Sequence, residues 1–237
     1  MPSINSSAGI KMIKFPLVTD WNICTPSLFR FLDQEYVDSF FKEGSLRLSS
    51  FSRFHKHNDE QRLDKKEGQT MFVHRTNQGG GQAITARATH GVSAYVLCTT
   101  MRYDKSLMES FGCNSCFRIT NSTNFGMAIA RHIPGLKSAF EGPCLYQDMK
   151  IIEQDLGYID INQFRDPENP DKIRKKMLNN FILSRMAHYP LFLKEKSFAH
   201  QVEYRYIWIV KEKAADYLDI KVPEAIQFCG KQSELTK

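Results

Sequence analysis

No run of about 18 apolar residues occurs in this chain, so no membrane-spanning helix is expected. The start, Met1 to Ile10, lacks the basic-then-apolar layout of a secretory signal. The six cysteines (Cys24, Cys98, Cys113, Cys116, Cys144 and Cys229) are spaced irregularly, and a chain of 237 residues does not need staples. Reduced thiols in a cytoplasmic protein are the expectation. Cys113-Asn-Ser-Cys116 has zinc-ligand spacing but no second CxxC or HxxxH pair to complete four ligands, so no metal is expected. GxSxG, HExxH, HxE…PCxxC and the kinase signatures are all missing, so nothing in the sequence indicates those chemistries. Gly79-Gly80-Gly81 lacks the strand–GxGxxG–helix context of a dinucleotide fold, and no GK[ST] follows it. It reads as a hairpin tip.

What is present is a chain with 42% hydrophobic residues, enough for one sizeable core. No internal repeat or linker divides it, and a single domain over residues 1–237 is expected. The formal net charge of +6 suits an anionic partner such as a dinucleotide or RNA, although many ordinary proteins are as basic.

The order of elements reads as a mixed α/β pattern. Residues 1–20 read as an arm or first strand, and Leu28–Leu32 as a strand buried on both faces. Asp33 then offers a helix N-cap, with Tyr36, Val37, Phe40 and Phe41 as the helical stripe. Gly44 stands at the helix end, and Leu46–Leu48 is a short strand. Residues 53–69 are a charged segment, read as a surface loop. Thr70–Arg75 and Ala83–Thr89 flank the glycine turn as strands. Ala94–Cys98 is a central strand ending in Thr99-Thr100. Ser115–Thr120 is another strand, Phe125–His132 a helix closed by Pro134, and residues 144–161 suggest paired strands. Asn169-Pro170-Asp171 opens a helix that runs through Met186, with Lys172, Arg174, Lys175 and Lys176 near its start. Val202–Val210 is a late strand, and Ala225–Cys229 a last short one.

Three features carry possible chemistry. Arg30 lies inside the first apolar strand, Thr99-Thr100 end a central strand, and Gln201-Val202-Glu203 open the late one. Residues two apart on a strand share a face, so Gln201 and Glu203 are expected to point the same way. A charge in a buried sheet is costly unless paired or functional, and Arg30 with Glu203 is a natural pair. That pair reads equally as a structural bridge that fixes strand order and as part of a site.

An Arg on the first strand, a Ser/Thr strand end and a Q/E-x-E strand start resemble the R–S–E pattern of ADP-ribosyltransferases. Gly44-Ser-Leu-Arg47, the Tyr95–Thr100 strand with its cysteine, and Phe198-Ala-His-Gln201-Val-Glu203-Tyr-Arg205 resemble, in that order, the landmarks of a bacterial family. That family is similar in layout to the ADP-ribosyltransferase toxins of anti-phage systems, one of which modifies messenger RNA. The resemblance covers roughly residues 25–210, with Thr-Thr where the pattern has Ser-Thr-Ser. It implies a compact α+β fold with a split mixed β-sheet, NAD as substrate, and transfer of ADP-ribose to nucleic acid, RNA ahead of DNA. A toxin or effector role with an antitoxin partner is also implied. In this picture Glu203 binds the nicotinamide ribose and stabilises its oxocarbenium character. Arg30 holds pyrophosphate or ribose, and Thr99 or Thr100 positions Glu203 or the nicotinamide. Gln201 orients the acceptor. Phe54 or Phe51 stacks on the nicotinamide unless they are core residues, and Asp59 and Arg62 contact the acceptor unless residues 53–69 are only a solvated loop. The same residues leave open a non-enzymatic nucleic-acid or protein-binding module, or an NAD glycohydrolase.

Overall fold

The computed structural model describes residues 27–54, 68–76, 82–153, 157–185 and 188–231. The strands are β1 (Leu28–Leu32), β2 (Ser45–Ser50), β3 (Gln69–Thr76), β4 (Gln82–Thr89), β5 (Ala94–Thr100) and β6 (Ser115–Ile119). They continue as β7 (Leu136–Pro143), β8 (Leu145–Gln147), β9 (Ile151–Glu153), β10 (Leu193–Glu195), β11 (Glu203–Val210), β12 (Tyr217–Lys221) and β13 (Cys229–Lys231). The α-helices are α1 (Gln34–Glu43), α2 (Phe51–Phe54), α3 (Lys105–Ser110), α4 (Ser122–Ala130) and α5 (Lys175–Arg185). The fold is α+β. Among the described residues no helix is long and apolar enough to cross a membrane.

Eight strands form one sheet along the path β12-β2-β5-β1-β6-β13, with β11 on β5 and β7 on β11. Every pairing in it is antiparallel. Parallel pairing is confined to two small sheets, β10–β8 and β4–β3–β9. The expected hairpin of β3 and β4 is present, with Gln69 opposite Thr89 and Thr76 opposite Gln82. Its Gly79–Gly81 tip lies outside the described residues, as do residues 1–20 and Met186.

Alternation along β11 builds two layers. Tyr204, Tyr206 and Trp208 enter the larger core, where α1 and α4 cover the sheet. Phe40 stacks on Phe117 at 4.6 Å and Tyr206 on Trp208 at 5.9 Å. Each such ring contributes about 1.5–3 kcal/mol by leaving water. The hydroxyls of Tyr204 and Tyr206 meet Ser122, so their polar ends are not stranded in that core. The other face of β11 carries Glu203, Arg205 and Ile207.

Several expected elements are corrected. Asp33 stands before α1 but its side chain makes no capping bond; Asn114 Oδ1 instead accepts from the Gln34 amide at 2.8 Å. Tyr36 leaves the buried stripe and is 55% exposed. Gly44 does end α1, with φ 74° and its amide on the Phe40 carbonyl at 2.7 Å. A Cβ there would lie 2.3 Å from the Val222 carbonyl carbon, so glycine is required. Helix α4 begins at Ser122, earlier than expected, because Asn121 caps it through the Asn124 amide. Among the described residues of 144–161 the two strands do not pair with each other: β8 joins β10 and β9 joins β3. Helix α5 starts only at Lys175, since Arg165 and Ile173 form a bridge that keeps residues 166–172 in a loop. Residues 223–228 are a 3-10 helix opened by Pro223, with the last strand after it. Strands β7 and β12 were not anticipated, because they are largely half-buried and exposed by turns, with one buried position in β7 and none in β12, and so form no apolar run.

Candidate functional site

The site begins with how β5 is shared. Strand β11 pairs along its whole length, from Ala94 opposite Ile209 to Thr100 opposite Glu203. The other edge is divided. There β2 pairs at Tyr95 and Val96, and β1 pairs at Thr100. Between these points β1 and β2 part, and a cleft of about 330 Å³ opens over β5. Arg30 lies in the parting, where its Nη1 donates to the Cys98 carbonyl at 2.6 Å. A carbonyl that would otherwise lack a ladder partner is thereby satisfied.

Glu203 is on the floor of this cleft and is 5% exposed. The expected Arg30–Glu203 pair is corrected by the carboxylate's close partners. Its Oε2 accepts from Lys194 Nζ, and its Oε1 accepts from Arg205 Nε at 2.7 Å. Lys194 and Arg205 are themselves 7% and 2% exposed. Burial alone pushes the carboxyl up. The Arg205 and Lys194 charges outweigh it, with hydrogen bonds from Arg205 and Cys98, and hold Glu203 well below the usual carboxylate range. The cluster is therefore two buried cations around one buried anion. Burial also pushes the Cys98 thiol up, followed by the negative charge of Glu203, which favours the neutral thiol.

Gln201 and Glu203 do converge, though not by strand alternation. Gln201 ends the 3-10 helix Lys196–Gln201, and Val202 takes φ 44° and ψ 48°. This left-handed residue turns the chain so that Gln201 Oε1 also accepts from Lys194 Nζ, at 2.6 Å. A β-branched side chain in that region is strained. The strain is held by neighbours: the Val202 carbonyl accepts the Met101 amide at 3.0 Å, and the Glu203 amide donates to the Tyr146 hydroxyl at 2.7 Å.

Thr99 and Thr100 act on the backbone around Glu203 rather than on its carboxylate. The Thr99 hydroxyl donates to the Tyr204 carbonyl at 3.0 Å. The Thr100 hydroxyl reaches the Val202 carbonyl at 3.5 Å and the Arg102 carbonyl at 3.3 Å. The two threonines thus grip the residues on either side of Glu203.

Phe51 is a core residue. It is 2% exposed, packs with Val96, Leu191 and Ile207, and lies 5.8 Å beneath the Arg205 guanidinium. No ligand ring can stack on it. The side chain of Phe54 lies outside the described residues, as do Asp59 and Arg62. Cys113 and Cys116 are buried beside Phe31, Leu107 and Met108 in a small apolar cluster.

Lys194 and Arg205 are the site residues that sequence reasoning missed. Lys194 reads as part of a polar turn, Lys194-Glu195-Lys196, and nothing nearby announces that its ammonium is buried. Arg205 was read only as the end of a family landmark, although a charge in the otherwise apolar run that follows Glu203 is itself a signal. The rim residues Arg47, Arg53 and Tyr217 were also missed, because they meet only when β12 pairs with β2. Comparison of the chain with protein-family models, with curated proteins and with solved structures gives no match.

Proposed function

We propose that the cleft binds NAD and that the chain transfers ADP-ribose to a nucleic acid, RNA ahead of DNA, as a toxin or anti-phage effector restrained by a partner protein. The observation that carries this reading is Glu203, an ionised carboxylate anchored on the floor of a cleft between two parted strands. Supporting it, Arg30 lies at the parting with a guanidinium that suits pyrophosphate oxygens, and Lys194 and Arg205 give the floor a net positive charge. The cleft volume lies at the lower end of the range for small-molecule sites. Aromatic surface for the rings of NAD comes from Phe29, Tyr36 and Phe111, in place of Phe51.

In the reaction the bond between the nicotinamide nitrogen and the ribose carbon breaks, and its electron pair leaves with the neutral nicotinamide. Positive charge builds on the ribose, and the carboxylate of Glu203 stabilises it. A hydroxyl or ring nitrogen of the acceptor attacks the ribose carbon and gives up its proton to solvent. The anionic pyrophosphate answers the two cations around Glu203, which leaves the carboxylate free to act on the ribose.

A second reading has a specific observation in its favour. Both oxygens of Glu203 already have cationic partners within the protein, as they would in a binding module whose buried triad only fixes the fold. A glycohydrolase, with water as acceptor, uses the same floor. Purified protein is incubated with labelled NAD and, separately, with RNA and with DNA, comparing wild type with Glu203→Gln. Label on one polymer, lost in the variant, supports the transferase. Free nicotinamide without labelled polymer supports the glycohydrolase. A wild-type protein that neither binds nor turns over NAD defeats both and leaves the binding module.

A further inference from the structure

We infer that the rim of the cleft formed by β2 and β12 is a stacking subsite for a base of single-stranded nucleic acid. This rests on the nucleic-acid acceptor in the reading above and gives it a place on the molecule. Arg47, Ser49, Tyr217 and Asp219 share one face of the sheet, because Asp219 lies opposite Arg47 and Tyr217 opposite Ser49. Asp219 takes the Arg47 guanidinium by two bonds, Nε at 2.7 Å and Nη2 at 2.9 Å. The Arg47 guanidinium also sits 5.0 Å from the centre of the Tyr217 ring. Arg53 approaches the same ring at 5.1 Å, and its Nε donates to the Tyr217 hydroxyl.

The result is a pre-ordered arginine–tyrosine–arginine group that is not buried. The Arg47 side chain is 61% exposed, and Tyr217 is 38% exposed. Tyr36, 55% exposed, lines the same cleft. Long cationic side chains lose entropy when fixed, and exposed ion pairs return little of it. Core packing does not account for two exposed tyrosines at one cleft mouth. A guanidinium held flat by a bidentate carboxylate offers a plane on which an unpaired base can stack. Arg47 and Arg53 against Asp219 leave one positive charge for a phosphate. The rim borders the cleft that descends to Glu203, so a base stacked there brings its strand close to the proposed ribose site.

The test is fluorescence anisotropy of a labelled single-stranded oligonucleotide of about 12 residues, with NAD omitted throughout. RNA and DNA versions form separate arms and distinguish the two sources of the base. Wild type is expected to bind, with Tyr217→Ala and Arg47→Lys each weakening binding by about tenfold. Arg47→Lys keeps the charge and removes the plane, so an electrostatic site would tolerate it. Tyr217→Phe keeps the ring and controls for folding; it is expected to bind within about twofold of wild type if stacking dominates. A duplex of the same sequence hides its bases and should bind about tenfold more weakly. The inference is overturned if wild type binds neither oligonucleotide, if Arg47→Lys and Tyr217→Ala bind as wild type does, or if the duplex competes equally. Because NAD is absent, these outcomes are separate from any failure of NAD turnover.

Discussion

Replacing Glu203 by Gln tests whether the buried cluster is balanced as the geometry indicates. The change keeps the shape of the side chain and removes its charge. Lys194 and Arg205, 7% and 2% exposed, are then two buried cations without their anion. The amide nitrogen of Gln would also face a donor, because both oxygens of the carboxylate accept bonds. Removing one partner of a buried ion pair costs about 3–5 kcal/mol. For a domain of this size each kcal/mol lowers Tm by about 2–4 °C, so a fall of roughly 6–20 °C is expected by circular dichroism. Lys194→Met should cost less, since Glu203 then keeps Arg205 and the buried charge sums to zero. The pH dependence follows from the lowered carboxyl. As pH falls, the unfolded chain takes up the proton first, near its ordinary value of about 4.3, and the native advantage erodes below that point. The difference between wild type and Glu203→Gln is therefore full at pH 7 and shrinks toward pH 3. A Glu203→Gln protein within about 1 kcal/mol of wild type at pH 7, or a Lys194→Met protein less stable than Glu203→Gln, would refute this account.

Two further predictions concern the layer beneath the cleft. Burial, and secondly the neighbouring His188, hold His90 down at about 4, and its Nε2 has no hydrogen-bond partner among the described residues. The unfolded chain therefore binds that proton first as pH falls through about 6.5, and stability should decline toward pH 4 by up to about 1.4 kcal/mol per unit. His90→Gln should flatten that part of the Tm-against-pH curve, and an unchanged slope counts against the assignment. Gly91 has φ 83°, and a Cβ there would lie 2.6 Å from Phe51 Cγ. Gly91→Ala should cost about 1–3 kcal/mol in chemical denaturation, and a neutral result would mean that Phe51 is free to move.

Legibility in the sequence followed the range of the interaction. Phe40, Gly44 and the β3–β4 hairpin were readable because their patterns repeat within a few residues. The strand of Glu203 was readable from its apolar run, and the approach of Arg30, Thr99 and Glu203 to one cleft was implied by the family resemblance rather than by local pattern. What the sequence hid is set by tertiary contact. Lys194 reads as part of a polar turn, yet it lies in β10, which pairs with β8, and it is buried. The role of Phe51, which is core, could not be assigned from sequence, since core and ligand-facing phenylalanines have the same local pattern. The parting of β1 from β2 is likewise invisible locally, because neither strand encodes where along β5 the other stops.

Val202 shows the same limit at a single residue, and it can be tested. The sequence Gln201-Val202-Glu203-Tyr204 looks like continuous strand, and Val is a good strand former. The chain nevertheless takes φ 44° there, and with that turn Gln201 and Glu203 both reach Lys194. A β-branched residue in this conformation costs about 1–3 kcal/mol, which Gly would relieve. Gly adds back about 0.5–1 kcal/mol through the greater freedom of the unfolded chain, and the half-exposed Val side chain loses some packing. The sum is expected to be near zero or slightly stabilising, whereas Val→Gly within β11 at Val210, 6% exposed, should be clearly destabilising. Equilibrium urea unfolding of Val202→Gly and Val210→Gly compares the two directly. If Val202→Gly loses as much as Val210→Gly, the left-handed conformation at Val202 stores no strain that glycine relieves, and the packing of its side chain outweighs the backbone term.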